Sequence, residues 1–311
     1  MCPDETHDED PGDDRSRPTP EGDESVAHSG PDAIPPAAPE PPTPAHSPRG
    51  LDVIHADDIE PEDDEDDEDD VRTLLITGAS GHIAQKLRAA WADVYDLVLI
   101  DKVASHDGEV IIADLAELDE GWITHFHGVD TVIHLAGLPN VFGTWEELER
   151  PNLDALANVL HACALAGVER VIFASSSHVM GGYLGLGDMP ITVKLPPKPD
   201  SPYGATKLVG ERLGRSLARA FDVTFIALRL GWIQPGENRP ETLPDAATHA
   251  LWLSNNDLVR LMECAIETEL DDNQFVVVNG ISNNRGSRWD MTAAAETLGF
   301  TPEDDAYAEE L

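Results

Sequence analysis

From residue 71 onward, short apolar runs alternate with longer stretches in which apolar residues return every three to four positions. The runs at 71–76, 97–100, 110–112, 131–135 and 170–174 have the length and composition of buried strands. Between them, helical spacing continues from Gly81 through Leu87 and Trp91. It returns from Pro151 through Leu156, Val159, Leu160 and Cys163 to Gly167, and again after Pro202 through Leu208, Val209, Leu213 and Leu217. Strand–helix alternation of this kind predicts an α/β fold, a Rossmann-type doubly wound parallel sheet whose ligands collect at the carboxyl ends of the strands. A small C-terminal substrate-binding part is expected, mainly within 230–311.

Residues 1–70 are a different polymer. They carry Pro35-Pro36, Pro41-Pro42 and a run from Glu60 to Asp70 that is acidic except for Pro61, with 25 acidic against 3 basic residues. So few apolar groups cannot offset the entropy of ordering, and a disordered acidic tail is expected, leaving 71–311 as one folded domain. The whole chain of 311 residues has a formal charge of -40, of which -18 falls in 71–311. Nucleic acid and anionic membranes would be repelled and are not expected as partners. Acidic excess within the folded part fits solubility in high salt, so a halophilic source is expected. Cys2, Cys163 and Cys264 lack metal-like spacing, and the last two fall in apolar helical patterns, so no metal is expected. With no basic-then-apolar leader and no run of 18 apolar residues, a cytoplasmic location is expected. Self-association into a homo-oligomer stays open.

The chemistry begins at the end of the first run. Thr77-Gly78-Ala79-Ser80-Gly81-His82-Ile83-Ala84 joins strand to helix. Gly78 permits a tight turn, Gly81 a close backbone approach to a pyrophosphate, and Ala84 close packing of helix on strand. The second run ends on Asp101, which either caps a turn or binds the adenosine ribose hydroxyls and repels a 2′-phosphate; the second use favours NAD over NADP. Asp114 and Ala136-Gly137 follow the third and fourth runs. His134 lies inside an apolar run and reads as a satisfied core histidine. The fifth run delivers Ser175-Ser176-Ser177-His178, either as local backbone caps or as a hydroxyl donor to a substrate oxygen. Tyr203 and Lys207 are one helical turn apart on one face. They read either as a surface pair or as a phenol whose proton the nearby ammonium helps to remove.

In this order, Thr77-Gly78-x-x-Gly81-x-x-Ala84, Asp101, Asp114-Leu115, His134-Leu135-Ala136-Gly137, Asn152, Ser175-Ser176-Ser177 and Tyr203-x-x-x-Lys207 resemble the extended short-chain dehydrogenase/reductase family over 71–311. Phe173-Ala174-Ser175-Ser176-Ser177-His178, Trp252-Leu253-Ser254-Asn255-Asn256-Asp257 and Gly280-Ile281-Ser282-Asn283-Asn284 look most like its NAD-dependent uronate dehydrogenases and archaeal glucose-6-phosphate dehydrogenases. The resemblance implies Ser176, Tyr203 and Lys207 as the catalytic triad. It implies NAD contacts from Gly78, Ser80, Gly81, His82, Ile83, Asp101, Asp114, Leu115, Leu135, Ala136, Gly137, Asn152 and Lys207. Ser177 and His178 would face the sugar. The expected reaction is oxidation of a hexuronate or glucose 6-phosphate type of sugar at C1. A nucleotide-sugar epimerase or dehydratase, and a non-catalytic NAD sensor, are the alternatives. One position departs from the pattern: Ala247 stands where these enzymes carry a substrate-binding arginine, and Arg239, in the same loop, is the expected substitute, with His178 and Arg288 behind it.

Overall fold

The structure, a computed structural model, describes residues 71–270 and 274–307 of the 311; the expected acidic tail, 1–70, lies outside the described residues. Seven strands are present among them: β1 Thr73–Thr77, β2 Asp96–Asp101, β3 Ile111–Ile112, β4 Thr131–His134, β5 Arg170–Ser176, β6 Thr224–Leu230 and β7 Phe275–Gly280. The helices are α1 His82–Trp91, α2 Glu120–Ile123, α3 Trp145–Glu149, α4 Ala155–Ala166, α5 Pro202–Ala220, α6 Ala246–Leu251, α7 Asn255–Glu267 and α8 Thr292–Leu298. All strand pairs are parallel, in the order β3-β2-β1-β4-β5-β6-β7, which is the expected doubly wound sheet. The order reverses between β1 and β4, and a crevice opens beyond the carboxyl ends of strands at such a reversal.

Both faces of the sheet are covered, which is why its strands read as continuous apolar runs. Leu74, Ile76, Ile172, Ile226 and Leu228 face one core with Leu87 and Trp91 of α1, Leu258 and Leu261 of α7 and Leu298 of α8. Leu75, Val171, Phe173, Phe225 and Ala227 alternate onto the other core, with Leu156 and Val159 of α4 and Leu217 of α5. Cys163 is fully buried in that second core, and burial pushes its thiol pKa up. Much of the C-terminal segment thus belongs to the sheet itself, through β7, and to its core, through α7 and α8.

Two local features differ from the pattern in the sequence. Pro151 does not open a helix: α3 begins at Trp145 behind a capping box of Thr144 and Glu147, and the chain widens into a π turn over Arg150–Asp154 before α4. Proline has no N–H to donate to the preceding turn, and the wider turn absorbs that loss while bringing Asn152 to a buried position. The second difference is the face of α5. Val209 and Leu213 are partly exposed, whereas Thr206, Lys207, Gly210, Glu211, Gly214 and Leu217 face the sheet.

Glycine sets that face by letting the helix come close. A Cβ on Gly210 would lie 2.5 Å from the Phe173 ring, and one on Gly214 would lie 2.2 Å from the Phe225 ring. A side chain at Gly214 would therefore have to push two packed layers apart. Gly214→Val is expected to destabilise the protein by about 1–3 kcal/mol, measured as a lower denaturant midpoint. Gly185, with nothing near its added Cβ, serves as the control, and Gly185→Ala should stay within about 0.5 kcal/mol of the parent.

Candidate active site

The β1–α1 loop lies against the end of β4. Gly78 sits at φ 70, and a Cβ there would be 2.7 Å from the Ala136 amide nitrogen, so only glycine fits. The Gly81 N–H donates to the Gly78 carbonyl at 2.9 Å and closes the turn into α1. Helix α1 starts with no side-chain cap, so its first turn, at His82 and Ile83, is an uncapped helix N-terminus of the kind that can receive a phosphate. Asp101, at the end of β2, is held rigidly. Its carboxylate accepts from the Ser80 N–H and the Val103 N–H, each at 3.0 Å, while the Ser80 hydroxyl donates to the Val103 carbonyl at 2.6 Å. Ser80 thus belongs to the bracket that aims Asp101. A cleft continues past Asp101, Asp114, Leu115, Leu135, Ala136 and Gly137. Lys102, Pro151 and Ala155 also line it, and none of them carries a motif signal in the sequence. The glycine floor, the uncapped helix start and the carboxylate at the β2 end fit an adenine dinucleotide.

Asn152 and Lys207 adjoin the cleft at Gly137. Asn152 accepts from the Leu138 N–H at 2.6 Å and donates to the Leu138 carbonyl and the Thr206 hydroxyl, each at 3.2 Å. A Cβ on Gly137 would lie 3.0 Å from Asn152 Oδ1 and 3.7 Å from Lys207 Nζ, so this glycine keeps room where the two side chains meet. His134, beneath them, is fully buried, with Nδ1 2.8 Å from the Thr77 hydroxyl. Burial, and then Lys207, depress its pKa to about 3, so it stays a neutral core residue.

Ser176, Tyr203 and Lys207 come together at the rim. Ser176 ends β5, and Tyr203 enters the first turn of α5, which is capped by the Ser201 hydroxyl accepting from the Gly204 N–H at 3.0 Å. Burial pushes the Tyr203 phenol up to about 12, and its hydrogen bond with Ser176 pulls in the opposite direction. Burial also brings Lys207 down to about 8. In the protein alone, therefore, burial outweighs the expected acidification of Tyr203 by Lys207. The reason is geometric: Lys207 Nζ lies 4.9 Å from the Phe173 ring centre and 5.7 Å from the Tyr203 ring centre, held over two aromatic faces.

Ser177 is buried beside this group, and His178 packs edge-on against Tyr203 with ring centres 5.9 Å apart. Sequence spacing gives no hint of the partner of His178. Its Nδ1 lies 3.0 Å from both oxygens of Asp200, which also accepts from the Ser201 hydroxyl at 3.0 Å. A carboxylate can only accept here, so the Nδ1 N–H donates to it and the pairing fixes the orientation of the ring. Gly181 makes the pairing possible, since an added Cβ would lie 1.8 Å from Asp200 Oδ2.

The residues expected to hold a substrate anion are placed differently. Arg239 is exposed and ion-paired with Glu237. Arg288 donates to the carbonyls of Tyr183, Leu184 and Met189 and so braces the loop that carries them. The Trp252-Leu253-Ser254 segment forms a C-terminal clasp. Asp257, fully buried, accepts from the Ser282 hydroxyl at 2.5 Å and from the N–H groups of Glu303 and Asp304 at 3.0 and 3.1 Å, while Ser254 donates to Asp304 at 2.5 Å.

Relatives and solved structures share this architecture. The chain is 31% identical over 253 residues to an NAD-dependent glucose-6-phosphate dehydrogenase of Haloferax volcanii, covering 75% of this chain and 94% of that one. It is 30% identical over 249 residues to an L-arabinose 1-dehydrogenase (NAD(P)(+)) of the same organism, covering 75% and 97%. The crystal structure of a mutant uronate dehydrogenase from Agrobacterium tumefaciens complexed with NAD superposes with a TM-score of 0.65 at 27% identity, covering 77% of this chain and 88% of that one. Residues 74–252, which hold the glycine turn, Asp101, Ser176, Tyr203 and Lys207, match the NAD dependent epimerase/dehydratase family, and the chain belongs to that family.

Proposed function

We propose that this protein oxidises a sugar or sugar derivative, of the hexuronate or glucose 6-phosphate type, at C1 and releases the lactone. The reading is carried by the meeting of Ser176, Tyr203 and Lys207 at the open end of a glycine-floored dinucleotide cleft. NAD, when bound, supplies the hydride acceptor. The residues of the chain do the rest. Tyr203 Oη takes the proton of the C1 hydroxyl as the C–H hydride departs, and Ser176 Oγ hydrogen-bonds the same oxygen as it becomes a carbonyl. Lys207 balances the phenolate, and the Asp200–His178 pair braces the Tyr203 ring. Similarity to dehydrogenases acting on glucose 6-phosphate, arabinose and uronate supports this class of reaction.

The pKa values set the direction of the pH dependence. Burial disfavours both charged forms, so proton loss belongs to the Tyr203–Lys207 pair as a unit. Because Lys207 is held near 8, kcat/KM should climb as pH rises through about 8 and decline below it. Tyr203→Phe should lower kcat by roughly 10²–10⁴-fold with NADH binding retained, because only the proton acceptor is removed. A flat profile from acid to alkaline pH, or parent-like turnover in the variant, would contradict the assignment.

Cofactor choice follows from the bracketed Asp101, which cannot swing away from a 2′-phosphate. NAD should exceed NADP in kcat/KM, and Asp101→Ala should narrow the ratio by roughly tenfold or more, the worth of a hydrogen bond to a charged group. Preference for NADP in the parent would count against it.

The sugar is tested by NAD reduction with glucuronate, galacturonate, glucose 6-phosphate and arabinose in high salt. Since Arg239 is already neutralised by Glu237, Arg239→Ala should change kcat/KM for the anionic sugars by less than about twofold. A tenfold rise in KM for those sugars alone would show that Arg239 binds the anion. Turnover of arabinose only would keep oxidation at C1 and refute the anionic class.

A further inference from the structure

The inner face of α5 continues past the two residues already placed. Tyr203 is followed one turn later by Lys207, and one turn after that by Glu211. Glu211 is 2% exposed and forms a bidentate pair with Arg229 of β6, Arg229 Nε to Oε1 and Nη2 to Oε2, each at 2.8 Å. Its Oε1 also accepts from the Ser175 hydroxyl of β5 at 2.7 Å. Ser175 and Arg229 are direct neighbours across the two strands.

We propose that Glu211, locked by Arg229 and Ser175, is the positioning residue that sets the register of Tyr203 and Lys207 against Ser176. The proposal rests on the reading of those three as the catalytic group. The contacts run in sequence: Glu211 accepts from the Ser175 hydroxyl, Ser175 is joined to Ser176 by a peptide bond, and Glu211 lies two turns along the same helix from Tyr203. The other directional contact on this face lies nearer Tyr203, where Asn152 donates to the Thr206 hydroxyl at 3.2 Å. Gly210 and Gly214 pack against the rings of Phe173 and Phe225, apolar contacts that carry no hydrogen-bond direction. A fork of two charge-assisted hydrogen bonds adds geometric specificity. Buried ion pairs are weak evidence of stabilisation, because desolvation offsets their attraction, and their better-attested use is to fix register. Displacement of a catalytic group by about 1 Å can lower a rate a hundredfold.

The test is Glu211→Gln, assayed well below its melting temperature with the sugar that the parent turns over fastest. Glutamine keeps the volume and the Ser175 contact but loses the charged fork. The expected result is a fall of tenfold or more in kcat, with the sugar KM and the fluorescence-measured NADH Kd within twofold of the parent. Parent-like kcat with a lowered melting temperature would show a purely structural clamp and overturn the proposal. If Glu211→Gln does not fold, Ser175→Ala decides: a threefold or larger loss of kcat at an unchanged melting temperature supports positioning, and an unchanged kcat refutes it. A parent that reduces NAD with no sugar would refute the oxidoreductase reading itself, before any variant is compared.

Discussion

The ammonium of Lys207 over the face of Phe173, 4.9 Å from the ring centre, is the contact on which the site depends. A buried cation needs compensation, and an aromatic face supplies part of it without a carboxylate that would neutralise the charge. Phe173 can offer that face because it is fixed on every side. His134 stacks on it at 6.1 Å, Phe225 tilts against it at 5.9 Å, and Gly210 lets α5 settle directly on its edge. The strand that carries Phe173 ends three residues later in Ser176. One ring thereby ties Lys207, helix α5 and Ser176 to the same strand.

The same packing explains the electrostatics. Closing α5 onto the sheet removes water from Lys207 and Tyr203 together, and each is driven toward its neutral form. Among the described residues the two most deeply buried carboxylates, Asp257 and Glu211, are saturated by donors. The surface carboxylates face water, where charge is screened within about 10 Å at 0.1 M salt.

The strands flanking the switch point, the glycine turn and the Tyr203–Lys207 spacing were legible because each is local. A parallel strand buried on both faces is an apolar run, Gly78 is dictated by one turn, and residues four apart on a helix share a face. What stayed hidden depends on contacts between distant segments. Asp200 and His178 are 22 positions apart, and Glu211 and Arg229 are 18 apart, so no periodicity links them. The α5 face is hidden for a related reason: apolar spacing points to Val209 and Leu213, whereas the sheet-facing side uses glycine and a paired charge. The Trp252-Leu253-Ser254 likeness was visible as a pattern, but its role as a clasp on residues 303–306 required the fold. Arg239 looked available in a loop, and only the structure shows Glu237 against it.

The disposition of the cations also bears on the choice between a free sugar and a nucleotide sugar. From residue 231 to the end the sequence contains four arginines and no lysine: Arg239, Arg260, Arg285 and Arg288. Each is tied to the protein. Arg239 pairs with Glu237, Arg260 with Asp257 and Glu303, Arg285 with Asp305, and Arg288 with three backbone carbonyls. A nucleotide diphosphate presents two adjacent phosphates whose recognition draws on forked guanidinium donors. Binding one here would require breaking ion pairs that already exist. A small sugar asks for less, because its hydroxyls can be matched by serine hydroxyls, an imidazole and backbone groups such as those at Ser176, Ser177 and His178. The distribution of charge in this segment therefore counts against a nucleotide-linked sugar.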